Sequence, residues 1–322
     1  MKKIFITREI PEVGIDMLRK AGFEVVIRME DSVPSERDLA RELSRGGYDG
    51  VISLLTDPIS AKIFDAAPSV KIYANYAAGY NNIDIEGAKK RGVTIANTAG
   101  VSGTAVAEHT IALIFALTTR LVEGDAFVRK GKYKGWSPMA FMGTDLHGKT
   151  IGLIGAGNIG AEVARALRHG FGAEVIYYDI KRNEALEREC GATWRDSVEA
   201  VLRESDIVSL HVPLLPSTHH LIDASRLALM KRSAFLVNTS RGPIIDEEAL
   251  VSALKAGTIR GAGLDVFEFE PRLARGLAGL PNTVLTPHIA SSRQSVRDEM
   301  SRSVAESIID FFSGKEPKNK VA

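Results

Sequence analysis

Over the first ninety residues, short apolar runs alternate with segments whose apolar positions recur every three or four residues. Residues 3–7 form a β-rich run and 13–20 have helical spacing; 24–27 is strand-like and 36–43 helical. Residues 50–54 read as a buried strand, 70–76 as another strand and 83–91 as another helix. Continuous apolar runs bounded by amphipathic helices predict βαβ units, and hence a parallel sheet with both faces covered.

The rhythm changes at Thr104. From there to about Lys130 the pattern is helical without a strand, with apolar positions at Val106, Leu113, Leu117 and Leu121. That is long for one globular helix, and two helices fit it equally well. A helix at a domain junction or against a second subunit and an ordinary core helix share this pattern. Residues 131–148 are loop-like and carry Trp136, which reads either as reaching a partner subunit or as packing on its own chain. Alternation resumes with strands near 150–154, 174–178, 206–210, 234–238, 260–264 and 283–286. A helical pattern over about 292–312 and a polar tail, 314–322, which reads as frayed, complete the chain. A length of 322 residues suits two α/β domains.

Charge narrows the partners. With 41 Lys and Arg against 40 Asp and Glu, the net charge of +1 suggests neither a nucleic-acid nor an anionic-membrane partner. The single cysteine, Cys190, excludes an intramolecular disulfide and a Cys-rich zinc site. The first residues lack the long apolar stretch of a signal peptide, being interrupted by Arg8 and Glu9, and the most apolar segment, 111–117, is too short to span a bilayer. A cytoplasmic enzyme is the expectation.

The most specific local signal is the segment 150–160, in which Gly155, Gly157 and Gly160 form GxGxxG after a strand-like run and before helical spacing at 161–169. Gly155 allows the tight turn, Gly157 lets a pyrophosphate approach the backbone, and Gly160 lets helix pack on strand. The helix N-terminus then binds the diphosphate. A second strand ends at Asp179, about 20 residues on, where a carboxylate accepts bonds from the adenosine ribose. Such a carboxylate repels a 2′-phosphate and favours NAD over NADP, although Lys181 and Arg182 follow closely.

Three more segments follow predicted strands, where open α/β sheets bind ligands. They are Asn238-Thr239-Ser240-Arg241-Gly242, 264–271 with Asp265, Glu268 and Glu270, and 285–290 with His288. A cation, carboxylates and a histidine offer a carboxylate clamp and an acid–base pair beside a nicotinamide. Spacing alone leaves Asp265, Glu268 and Glu270 open as the histidine's partner. His211, His219 and His220 invite a metal reading, but adjacent histidines suit no common paired-ligand geometry, so no metal site is expected.

With these segments and Gly79-Tyr80-Asn81-Asn82-Ile83-Asp84, the chain resembles the D-isomer-specific 2-hydroxyacid dehydrogenases over essentially its whole length, and most their glyoxylate/hydroxypyruvate reductase branch. The resemblance implies a Rossmann-type NAD-binding domain over 101–288. It implies a discontinuous flavodoxin-like substrate domain over 1–100 and 289–322, with a cleft between the two. In that family Arg241 holds the substrate carboxylate, His288 exchanges the proton, and Glu270, rather than Asp265 or Glu268, partners the histidine. Cofactor contacts are implied at Thr104, along Gly155, Gly157, Asn158, Ile159 and Gly160, and at Asp179, Ile180 and Lys181. Further contacts are implied at Val212, Pro213 and Thr218, at Thr239, Ser240 and Arg241, and at Asp265, His288 and Ala290. Substrate contacts are implied at Leu55, Ala78, Gly79 and Arg241, and the assembly as a homodimer. The implied reaction is reduction of glyoxylate or hydroxypyruvate to the 2-hydroxy acid. Phosphoglycerate or D-lactate dehydrogenase activity is the alternative, and an NAD(H)-sensing corepressor-like role a different class again. Ala78 stands where phosphite dehydrogenases carry lysine, which argues against phosphite oxidation.

Overall fold

The apolar runs pair into two fully parallel sheets, in a computed structural model that describes residues 1–322. The first has five strands, β1 (Lys3–Ile6), β2 (Glu24–Ile27), β3 (Gly50–Leu54), β4 (Ile72–Tyr76) and β5 (Thr94–Ala96), in the order β2-β1-β3-β4-β5. The second has seven: β6 (Thr150–Ile154), β7 (Glu174–Tyr178), β8 (Thr193–Trp194), β9 (Ile207–Leu210), β10 (Phe235–Asn238), β11 (Gly261–Leu264) and β12 (Thr283–Leu285). Their order is β12-β11-β10-β9-β6-β7-β8, so the direction of winding reverses between β6 and β9. In the first sheet it reverses between β1 and β3. In open α/β sheets ligands bind beyond the carboxyl ends of strands at such switch points. The chain divides into two compact units accordingly, 1–102 with 292–322, and 103–291.

Central strands are buried on both faces, which is why they read as unbroken apolar runs. Every residue of β4, β9, β10 and β11 is buried. Helices cover them through one-sided faces: in Asn158–Phe171, Gly160, Ala161, Val163, Ala164 and Leu167 are buried at spacings of one to three. Helix starts carry the expected acceptors, with Ser35, Asp84, Ser197 and Asp246 each taking a first-turn amide.

In the first unit the late helix Gln294–Phe312 returns onto the sheet. Ser301 Oγ accepts from Gly14 N at 3.2 Å and donates to Pro11 O at 2.6 Å, and Tyr76 Oη donates to Arg297 O at 2.7 Å. The tail is not frayed. Ile95 N donates to Ala322 O at 2.9 Å, Val321 N to Ile95 O at 2.7 Å and Asn97 N to Asn319 O at 3.1 Å. β5 is an edge strand with unpaired amides and carbonyls, and the tail satisfies them.

In the second unit the helical stretch after Thr104 divides into Gly103–Thr118 and Leu121–Arg129, broken where Arg120 turns left-handed at φ 57°. The first piece is a core helix: Ala107, Leu113, Ile114 and Leu117 pack into the cluster beneath β6. The second piece buries none of its residues, and Trp136 is 82% exposed, so it does not pack on its own chain. The short strands β5 and β8 and the helix Ala61–Ala66 fall where the sequence pattern marked none. No helix is long and apolar enough to cross a membrane.

Candidate active site

Gly155 follows β6 with φ +97°, and a side chain there would press its Cβ to 2.7 Å from the His211 backbone carbon and oxygen. A Cβ on Gly160 would collide with the Gly155 carbonyl oxygen, whereas one on Gly157 would meet nothing within 4 Å. Two glycines therefore hold helix Asn158–Phe171 tight against the turn, and the third keeps open backbone at a helix start. No side chain caps that start, and Gly157 and Asn158 are exposed, with Ile159 partly so. Free first-turn amides around an open glycine form a cradle that fits a diphosphate.

Asp179 follows β7, and its Oδ2 accepts from Ala156 N at 2.7 Å, so the acid also braces the glycine turn. Ile180 is 95% exposed and Lys181 is exposed. Arg182 turns away, pairing with Glu187 at 2.7 Å and lying over the Trp194 ring. Beyond β9, His211 Nε2 lies 2.9 Å from Ser209 Oγ. The residue is partly buried, and the protein atoms that crowd its imidazole strip its hydration and push its pKa down to about 4, so it is neutral at pH 7. Val212 is partly buried and Pro213 exposed; Thr218 Oγ1 closes the segment by donating to Pro213 O at 2.6 Å and accepting from Leu215 N at 2.8 Å. Thr104 is exposed in the first turn of its helix.

At the end of β10, buried Asn238 shapes the turn. Its Oδ1 accepts from Ser240 N at 3.0 Å and its Nδ2 donates to Arg241 O at 2.9 Å. Thr239 Oγ1 meets Thr110 Oγ1 at 2.8 Å. Arg241 donates once, from Nη1 to Ser240 O at 2.6 Å, leaving most of its five N–H donors without a partner in the chain. Burial lowers its pKa and the charge of Glu270 raises it, the first prevailing, and a guanidinium stays charged regardless. Gly242 follows because a Cβ there would strike the Phe267 carbonyl, and this close approach carries Arg241 toward the loop after β11.

That loop separates its three carboxylates by task. Asp265, fully buried, accepts from Ile289 N at 2.9 Å, Ala290 N at 2.8 Å and Thr286 Oγ1 at 2.6 Å. It thereby fixes the turn after β12 that holds His288. Glu268 meets His220 Nε2 at 2.7 Å and accepts from Glu247 N at 3.0 Å. Glu270 meets His288, with Oε2 at 2.9 Å from Nδ1, while its Oε1 accepts from Phe267 N at 2.9 Å. Burial pushes the Glu270 carboxyl up, but the His288 bond and charge, the Phe267 amide and Arg241 together hold it below the ordinary glutamate value. His288 adopts φ +56°, rare for a non-glycine residue, and keeps 28% of its side chain exposed beside 27% for Glu270. With Nδ1 engaged by Glu270, Nε2 is the open ring nitrogen.

In the first unit, the carbonyls after β4 are all engaged: Ala77 O accepts from Thr98 N at 2.9 Å, Ala78 O from Asn97 Nδ2 at 2.7 Å and Gly79 O from Asn75 Nδ2 at 2.9 Å. The amides of Ala78 and Gly79 donate to no acceptor in the chain, and Ala78 is exposed and Gly79 partly so, which leaves them available to an anion. Leu55 is partly exposed after β3.

Two features escaped sequence reasoning. His109, buried on helix Gly103–Thr118, stands 3.0 Å from Thr286 Oγ1 and 3.4 Å from Asp265 Oδ1, backing the loop of His288. Asn75 and Asn97 set the Ala77–Gly79 turn. None of the three belongs to a local motif; they become visible only when distant strands are side by side.

A parallel sheet wound in the dinucleotide-binding order, a glycine cradle at its switch point, and a histidine–carboxylate pair beside a guanidinium define an oxidoreductase of the nicotinamide class. Residues 111–290 match the model of the D-isomer specific 2-hydroxyacid dehydrogenase NAD binding domain. The chain is 46% identical over 321 residues to a glyoxylate reductase of Korarchaeum cryptofilum, covering 99% of this chain and 95% of that protein. Among solved structures, a protein from Thermus thermophilus superposes with TM-score 0.92 at 39% identity, over 99% of this chain and 100% of that one. An NADPH-dependent glyoxylate/hydroxypyruvate reductase from Sinorhizobium meliloti, in complex with NADP and malonate, superposes with TM-score 0.85 at 31% identity, over 100% of this chain and 97% of that one. The chain belongs to the D-isomer specific 2-hydroxyacid dehydrogenase family, and it acts on 2-oxo or 2-hydroxy acids through an NAD-binding domain.

Proposed function

We propose that the protein is an NAD(H)-dependent reductase of glyoxylate or hydroxypyruvate, in which His288 donates the proton. The observation that carries this reading is the 2.9 Å His288–Glu270 pair set beside the under-committed Arg241 at neighbouring strand ends. Bound NADH supplies the hydride that reaches the substrate's C2. Arg241, with its planar fork, binds the substrate carboxylate and draws electron density from the adjacent carbonyl. His288 gives its Nε2 proton to the carbonyl oxygen as that oxygen becomes a hydroxyl, and takes it back in the reverse direction. Glu270, held ionised at neutral pH, keeps the Nδ1–H oriented and stabilises the imidazolium. Asp265 and His109 are positioning residues for the His288 turn.

NAD is favoured over NADP by Asp179, since Arg182 is engaged by Glu187 and cannot neutralise it. The amides of Ala78 and Gly79 suit a small carboxylate. A homodimer is favoured by the exposed apolar surface of the second unit, which includes Leu121, Val128, Trp136 and Met139. The reading is tested by NADH oxidation with a panel of 2-oxo acids. It requires kcat/KM highest for glyoxylate or hydroxypyruvate; a preference for pyruvate or 3-phosphohydroxypyruvate sinks the substrate assignment. Tight NADH binding without turnover of any acid sinks the enzyme reading.

A further inference from the structure

His219, His220 and Glu268 lie outside every role described above. Neighbouring side chains on an extended backbone point to opposite sides, which argues against adjacent histidines sharing a ligand. Here His220 sits in the left-handed region at φ +49°, with its N–H donating to Pro243 O at 2.8 Å. That turn folds the two imidazoles face to face, with ring centroids 4.1 Å apart and planes 29° apart. One donor atom from each of His219, His220 and Glu268 falls within 4.8 Å of the other two. The group is reachable from solvent, since His219 is exposed and the His220 side chain is 36% exposed.

We propose that His219, His220 and Glu268 bind a zinc-like divalent ion. Two imidazoles and a carboxylate form a donor set that Zn²⁺ takes, with a fourth position left for water. Bonds of about 2.0–2.2 Å in a tetrahedron set donors roughly 3.4 Å apart, so rotations that move each donor by about 1 Å close the site. The ion replaces the proton shared by His220 and Glu268 at 2.7 Å, and both rings bind as neutral imidazoles.

The carboxylate is held from behind, as metal ligands usually are. Glu268 Oε2 accepts from Glu247 N at 3.0 Å, and the buried Glu247 carboxylate in turn accepts from Ala274 N at 2.7 Å. Glu268 is two residues from Glu270, and Phe267 N binds the Glu270 carboxylate, so an ion here ties down the segment from which Glu270 projects.

The test uses full-length protein, freed of any histidine tag and stripped with chelator. Zn²⁺ titration by calorimetry, Co²⁺ absorption in the visible and thermal melts are compared for wild type, His219→Ala and Glu268→Gln. We expect one Zn²⁺ per chain at micromolar Kd, a raised Tm, and the intense visible bands of low-coordinate Co²⁺. Removing the exposed His219 imidazole is expected to raise Kd at least about tenfold and abolish the Tm shift, while metal-free turnover stays at the wild-type level. Glu268→Gln is expected to weaken binding likewise. Absence of Zn²⁺ binding to the wild type, or wild-type affinity in His219→Ala, overturns the proposal. The latter outcome is what the His220–Glu268 ion pair alone would give.

Discussion

Replacing Asp179 by asparagine removes a charge while keeping an oxygen that can accept from Ala156 N, the bond made at 2.7 Å. The glycine turn is therefore preserved and the change is electrostatic. A 2′-phosphate carries about −1.5 to −2 charges near neutral pH. Unit charges 4 Å apart repel by about 1 kcal/mol in water and about 4 kcal/mol at an effective dielectric of 20. Asp179 is partly exposed, so the lower part of that range applies. About 2 kcal/mol for the phosphate is a factor of roughly thirty in favour of the variant. NADH meanwhile exchanges a charged acceptor for a neutral one, a loss of about 1 kcal/mol or roughly fivefold. The ratio of kcat/KM for NADPH to that for NADH should rise by about a hundredfold, and by less at high salt. Steady-state oxidation of both cofactors at saturating 2-oxo acid, at two ionic strengths, measures it. A wild-type preference for NADPH, or a ratio unmoved by the substitution, excludes Asp179 as the determinant of cofactor choice.

Three further variants separate folding from binding, and a fourth addresses assembly. Gly157→Ala meets no protein atom within 4 Å, so its Tm should equal that of the wild type while the KM for NADH rises. Gly160→Ala drives its Cβ into the Gly155 carbonyl and should cost about 1–3 kcal/mol, seen as a lowered Tm; equal Tm values for the pair would discredit the cradle. Arg241→Ala removes charge-assisted bonds of about 1.5–3 kcal/mol, so the KM for the 2-oxo acid should rise about tenfold to a hundredfold with NADH affinity unchanged, and lysine should restore only part of it. An unchanged KM for the acid would remove Arg241 from substrate binding. Leu121→Glu combined with Val128→Glu places charge at positions 64% and 58% exposed and should convert a dimer to monomer by light scattering; a wild-type monomer contradicts the assembly.

The parallel sheets were legible because buried strands leave unbroken apolar runs, and the glycine turn because Gly155 and Gly160 answer steric demands of the fold while Gly157 leaves its backbone open. Partners chosen across the sheet were not legible. Asp265, Glu268 and Glu270 are equally good carboxylates by spacing, and only the three-dimensional path gives them different partners: the 289–290 amides, His220 and His288. The tail misled because its polar composition hides backbone pairing, which depends on the open edge of β5 rather than on side chains. The stacking of His219 on His220 was hidden for a related reason: a single left-handed residue, His220, changes the direction in which its side chain points.

In the proposed reaction His288 transfers the proton, while the cofactor site is built independently by the glycine turn. This division is tested most directly by kcat for NADH-dependent glyoxylate reduction in His288→Asn, with NADH affinity measured on the same protein by fluorescence titration. General acid catalysis contributes about 10²–10⁴-fold, so kcat should fall by at least a hundredfold with the NADH Kd essentially unchanged. A variant that keeps near-normal kcat removes His288 from proton transfer.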